Sequence, residues 1–221
     1  MPNWVKTKIN VSGNHKDISA FYKQIILKSR KDYDKDFSFN TIIEMPKSLG
    51  EVIVGGDTDM AISAINGDKA AITFMEQLKT ERKESYEQAI KSAQLTIDNQ
   101  KLYGFGNWYE WSRANWDTKW DSARSNVTIV DNTNLVIELE TAWSCAYNVY
   151  LNMAKQYPSL DFTVEYADES LGYNCGTIIF ENGNSLSEED GDLAFARRIW
   201  GYVDNDDEDA QFYMDECYMP C

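Results

Sequence analysis

The residues best equipped for chemistry in this chain are Trp116, Thr118, Lys119, Trp120 and Asp121, closely spaced, with Trp143 further along. Indole faces attract cations and stack on flat groups, Lys119 supplies a point charge, and Thr118 and Asp121 supply hydrogen bonds. Such a set suits an aromatic pocket in which Thr118, Lys119 and Asp121 orient a ligand. The competing reading is packing. Each tryptophan can bury about 150–250 Å², and burial is the usual fate of large aromatics, so the rings would pin this segment to a core.

A second candidate set is the acidic run Asp204, Asp206, Asp207, Glu208 and Asp209. Asp204, Asp206 and Glu208 alternate like calcium ligands, and Asp215 falls at the twelfth position. Asp209, however, stands at the sixth position, where the calcium loop needs Gly, and the twelfth position calls for Glu. The run therefore reads as solvated charge available to a basic partner, and no metal is expected. Catalytic motifs are lacking: there is a single histidine, His15, and no G-x-S-x-G, P-loop or G-x-G-x-x-G. Gly104-Phe105-Gly106 lacks the third glycine of a dinucleotide loop and reads as a turn. Carboxylates remote in sequence can still converge as a general acid and base, so enzymatic activity stays open, and no cofactor is expected. Cys145 and Cys175 stand alone, while Cys217 and Cys221 form a C-x3-C pair without a second pair to complete a zinc site. All four are expected as reduced thiols.

The net charge is −15 and the pI about 4.4, unevenly distributed. Residues 1–40 carry eight Lys/Arg against four Asp/Glu, whereas 188–216 carry eleven acids against Arg197 and Arg198. Net negative charge repels phosphate and argues against direct nucleic-acid binding. A basic face at Lys6 and Lys8 is the one place where a single strand could lie. A protein with a basic surface is the better-matched partner. No apolar run reaches the roughly 18–20 residues that span a bilayer, and residues 1–13 lack the pattern of a signal peptide. A cytoplasmic protein without a membrane partner is expected.

The elements that would position these residues follow from periodicity. Val5, Thr7, Ile9 and Val11 alternate with Lys6, Lys8, Asn10 and Ser12, which predicts a strand. Ile18, Phe21, Tyr22 and Ile25 recur at helical spacing over 17–30. Residues 127–130 and 135–141 flank the turn at 131–134 as a hairpin. Ser144 is placed to cap a helix with Ala146, Val149, Tyr150, Met153 and Tyr157 on one stripe, ended by Pro158. Residues 160–166 alternate again. Strand, helix, strand, strand, helix, strand is the split βαβ order, an α+β fold with a ferredoxin-like βαββαβ antiparallel sheet.

A long, mainly helical insertion follows the first helix, at about 31–125. It holds a helix near 59–65, a second from Asp68 towards Ile97 that the charged run 79–84 is expected to break, and a Trp-rich helix at 107–115. The core domain thus covers 1–180. Residues 181–221 form an acidic C-terminal extension, preceded by a strand at 173–180 turning at Asn182-Gly183 and containing a helix at 192–202.

Several stretches together carry a resemblance. They are Met1-Pro2-Asn3-Trp4, Met45-Pro46-Lys47-Ser48-Leu49, Trp108-Tyr109-Glu110-Trp111, Asn115-Trp116-Asp117-Thr118-Lys119-Trp120-Asp121 and Thr141-Ala142-Trp143-Ser144. Tyr157-Pro158, Tyr166-Ala167-Asp168-Glu169 and Gly172-Tyr173-Asn174-Cys175-Gly176 complete the series. In this order the chain resembles the YubB-like proteins of bacteriophages and plasmids over about residues 1–180. The family carries Gly where Asp117 stands and often prolines after Ser144, where this chain has Cys145-Ala146. The resemblance implies a ferredoxin-like domain and a gene on a mobile element in a bacterial cytosol, and it supplies no activity. With the charge and the missing catalytic motifs, it leads to the expectation of a non-enzymatic interaction protein, an acidic inhibitor of a host defence or regulatory protein. A small-ligand or nucleotide-binding protein using the Trp-rich region is the alternative.

Overall fold

The computed structural model describes residues 2–27 and 35–202. Strand β1 (Trp4–Ser12) buries Val5, Thr7, Ile9 and Val11, the apolar side of its alternation. Asn14 then caps helix α1 (His15–Ile25), its side chain accepting from the Asp17 amide at 3.1 Å, and the helix buries Ile18, Phe21 and Ile25. α1 is shorter than its periodicity predicts. Ile26 adopts extended backbone and bridges Phe37, and the Leu27 amide donates to the Asp36 carbonyl at 2.9 Å, so β-type pairing takes over where the helix was expected to continue.

The insertion contains α2 (Lys47–Gly50), α3 (Gly56–Ile65), α4 (Lys69–Glu81), α5 (Lys83–Tyr103) and α6 (Trp108–Asn115). The charged run breaks at Arg82, which leaves helical geometry between α4 and α5. Helices α3 to α5 share a small core of Ala61, Met75, Leu78, Ala89 and Ala93. The insertion's flanks belong elsewhere: Phe37, Phe39, Leu49, Trp111 and Trp116 are buried in the main core with β1, α1 and the later strands.

The second half supplies β2 (Ala123–Ile129), β3 (Asn134–Ala142), α7 (Tyr147–Gln156), β4 (Asp161–Asp168), β5 (Cys175–Glu181), β6 (Asn184–Asp190) and α8 (Leu193–Trp200). The sheet order is β2-β3-β1-β4-β5-β6, with every neighbouring pair antiparallel. The four strands β1 to β4 with α1 and α7 make the ferredoxin-like unit, and β5 and β6 extend it beyond β4. α1 and α7 pack on one face, where Val149, Tyr150 and Met153 share a core with Ile9, Ile137 and Val164. α8 covers part of the opposite face. Its Ala196 and Ile199 bury against Ala167 and Cys175, and the Trp200 indole donates to the Ala167 and Asp168 carbonyls.

One local expectation needs correction, and one strand adds to those expected. Ser144 does not cap α7; the helix starts after Ala146 with no side-chain cap, because the Ser144 hydroxyl donates to the Asp117 carbonyl instead. Residues 184–190 form a strand that alternation does not announce, since this edge strand is polar on both faces.

Candidate functional site

Three strand termini meet at one end of the sheet. Trp4 opens β1 opposite Ala142, the last residue of β3, and Val5 pairs with Asp168, the last residue of β4. The loops leaving this end contain three non-glycine residues in left-handed backbone: Asp117 at φ 61°, Trp143 at φ 80° and Asn174 at φ 45°. That region disfavours any Cβ, and for a bulky residue such as Trp it is a genuine outlier. Hydrogen bonds hold the loops in place. The Trp143 amide donates to the Asn3 carbonyl at 2.9 Å, and the Asn174 side chain donates to the Trp143 carbonyl at 3.0 Å and to Asp168 at 3.2 Å. Non-glycine strain of this kind concentrates where surrounding structure over-determines it, often at functional sites.

The consequence is an aromatic cage. With its backbone turned this way, Trp143 stands 40% exposed. The Lys119 ammonium lies 4.5 Å from the Trp120 ring centre, 4.6 Å from that of Trp143 and 6.0 Å from that of Tyr109. Trp143 meets Tyr109 edge-on at 6.2 Å, and Trp4 backs Trp120 at 6.0 Å. Two further cations flank the cluster: Arg113 over Tyr109, and Arg124, which lies over Trp4 and pairs with Glu140. No carboxylate among the described residues pairs with Lys119; ring faces hold it.

The predicted site residues thus divide. Lys119, Trp120 and Trp143 come together at the surface. Trp116 is buried against Trp111 and Phe39, its indole donating to the Ile43 carbonyl at 2.9 Å. Thr118 is buried and donates to the Ala142 carbonyl at 2.7 Å, tying the segment to β3. Asp121 is engaged outside the cage and accepts from Lys35 at 2.7 Å, the Phe39 amide at 2.7 Å, the Ser122 amide at 2.8 Å and the Ser38 hydroxyl. It is an anchor for the segment leading into the insertion. Asp204, Asp206, Asp207, Glu208 and Asp209 lie outside the described residues. Sequence reasoning missed Tyr109 and Trp4 as members; the available signal was the aromatic content of α6 and of the first strand position.

Behind the strained loop Tyr150 is buried and Cys145 and Tyr166 are half-buried: desolvation, then the Asp117 charge, pushes the Cys145 thiol up to about 12, and desolvation pushes Tyr166 up to about 12 and Tyr150 upward. These groups stay protonated and make poor nucleophiles. His15 opens α1, exposed, with Nδ1 3.3 Å from the Asn132 carbonyl, in a shallow groove of about 170 Å³ beside Tyr22 and Ile129. Among the described residues no group of three His, Cys, Asp or Glu could hold a metal, and no helix is long and apolar enough to cross a membrane. On the outer sheet face, Lys6 and Lys8 sit opposite Glu140 and Glu138 of β3, and Lys8 also opposite Glu165 of β4. Glu140 and Glu165 in turn pair with Arg124 and Arg198, so cations and acids alternate across this face.

The strand order and helix placement define a ferredoxin-like domain. A family model described as the ferredoxin-like domain in Api92-like protein matches residues 115–214, which include β2 to β6 and the cage residues Lys119, Trp120 and Trp143. Among solved structures, the crystal structure of a protein api92 from Yersinia pseudotuberculosis is similar over 86% of this chain and 98% of that chain, at 6% identity and a TM-score of 0.44. No curated protein matches.

Proposed function

We propose that this chain is a non-enzymatic interaction protein that docks on a basic surface of another protein, with the strand-end aromatic cluster at the centre of the contact. The observation that carries the reading is Trp143, held 40% exposed by left-handed backbone beside Lys119 and Trp120 rather than packed into the core. Aromatic anchors of this type dominate binding energy at protein interfaces. Acids lie at the same end of the sheet: the Glu169 amide donates to the Trp4 carbonyl, and Asp190 ends β6, three strands from β1, following the exposed Glu188 and Glu189. Acidic rims steer a basic partner and make association salt-dependent. The net charge of −15 favours the same class of partner. The resemblance to phage and plasmid proteins motivates a host defence or regulatory factor as that partner, with inhibition as the outcome.

Affinity capture of the tagged chain from bacterial lysate, followed by titration of the purified partner, tests this. A basic partner should be retained by the wild type, and the triple variant Glu188→Gln, Glu189→Gln, Asp190→Asn should weaken binding and flatten its salt dependence. Unchanged binding and an unchanged salt slope would remove the acidic rim from the interface. The small-ligand reading has its own observation, the ring-lined position of Lys119. It calls for quenching of tryptophan fluorescence by a metabolite, and a flat response to a nucleotide panel would count against it.

A further inference from the structure

We infer that the ring set Tyr109, Trp120 and Trp143 is a recognition cage for an alkylammonium or guanidinium group, which Lys119 fills in the free protein and an Arg or Lys side chain of the basic partner takes over. This rests on, and deepens, the docking function proposed above. The cage already holds an ammonium, 4.5 Å and 4.6 Å from two indole centres, so its ring faces suit a cation; of the two flanking cations, Arg124 is paired with Glu140 and Arg113 lies over Tyr109. Three features make Lys119 a replaceable occupant. No carboxylate among the described residues pairs with it. Its chain starts from a half-buried position on the loop, with a flexible stem that can swing towards water. The incoming group regains on the rings what Lys119 gives up, so exchange is close to balanced. The walls, in contrast, are fixed. Trp120 is backed by Trp4, and Trp143 is held by hydrogen bonds of its amide and carbonyl to Asn3 and Asn174. A preformed cage whose occupant is tethered to its own rim behaves as a site with an internal competitor, and the observed affinity for any outside cation falls by the fraction of time the cage is open.

The probes are tetramethylammonium and butylguanidinium chloride, titrated against sodium chloride at matched ionic strength. The readout is the indole N–H resonances, assigned with Trp→Phe variants, with a thermal melt of each variant to verify folding. Lys119→Ala empties the cage and should tighten both probes about three- to tenfold, with shifts centred on Trp120 and Trp143. Lys119→Met keeps a neutral chain between the rings and should give no such gain. Trp143→Leu, made in the Lys119→Ala background, should abolish the response. The assignment is overturned if Lys119→Ala binds the cations no more tightly than the wild type. It is equally overturned if inorganic phosphate, rather than either cation, shifts the Trp120 and Trp143 signals and needs Lys119 to do so. Because no protein partner is involved, failure here leaves the docking reading standing, and failure to capture a partner leaves the cage standing.

Discussion

The backbone at Trp143 offers a sign test. At an ordinary position, replacing Ala by Gly costs about 0.5–1 kcal/mol, because Gly loses more freedom on folding. At φ 80° the Cβ itself is the burden, and left-handed backbone costs an L-residue roughly 1–2 kcal/mol. Both Trp143→Ala and Trp143→Gly lose the ring. With the residue 40% exposed, that removes up to roughly 150 Å² of covered apolar area, or about 4 kcal/mol as an upper bound. The ring loss is common to the two variants and cancels between them. What remains is the strain relief less the entropic cost, so the Gly variant should be more stable than the Ala variant by roughly 0.5–1 kcal/mol. Urea denaturation at pH 7, with matching m-values, measures the difference. A Gly variant less stable than the Ala variant by the ordinary amount would refute strained backbone as the device that presents this ring.

Asp117→Gly should stabilise the fold by up to about 0.5 kcal/mol, the relief at φ 61° less the entropic cost of Gly, because Asp tolerates left-handed backbone better than Trp. Desolvation of the carboxylate also raises the Asp117 pKa, although the residue as a whole is exposed. Ionisation then costs more in the folded than in the unfolded chain, and this penalty is fully present above the folded pKa and vanishes below the unfolded one. The gain should therefore be larger at pH 7 than at pH 3, and denaturation at the two values checks it. Cys145, pushed up from 9.0 to about 12, should hold about a thousandfold less thiolate at neutral pH than a free cysteine. In a Cys217→Ser, Cys221→Ser variant, native protein should react slowly with a thiol-specific disulfide reagent and become fast on unfolding; rapid native labelling at Cys145, a half-buried residue, would contradict the raised pKa. Asp121→Ala strands Lys35 and the Phe39 and Ser122 amides, whose hydrogen bonds Asp121 accepts. It should cost about 2–4 kcal/mol in the same urea assay, and a near-neutral result would show that the anchor is dispensable.

The sheet was legible because its central strands alternate cleanly. In β1, β3 and β4 one side of the pleat is apolar and the other polar, and burial follows that pattern. β6 was hidden because Asn184–Asp190 is an edge strand, exposed along nearly its whole length, and without a buried face there is no period to read. The site was legible only as a concentration of tryptophans. Sorting them required three-dimensional facts: Trp116 turns inward because its indole reaches the Ile43 carbonyl, 73 residues away, whereas Trp143 stands outward because of the sign of one dihedral angle. Tyr109 joins from a different element, α6, which the sequence predicted as a helix without indicating which side faces the cage. The Ser144 cap failed for a local reason, since a competing acceptor, the Asp117 carbonyl, lay within reach of the hydroxyl.

Hydrogen–deuterium exchange on the free chain and on its complex with the captured partner asks most directly whether the strand-end cluster is the working surface. If it is, exchange on binding should slow in the loops around residues 116–124, 142–145 and 169–174. Protection confined to α3, α4 and α5, with those three loops exchanging as in the free chain, would contradict it.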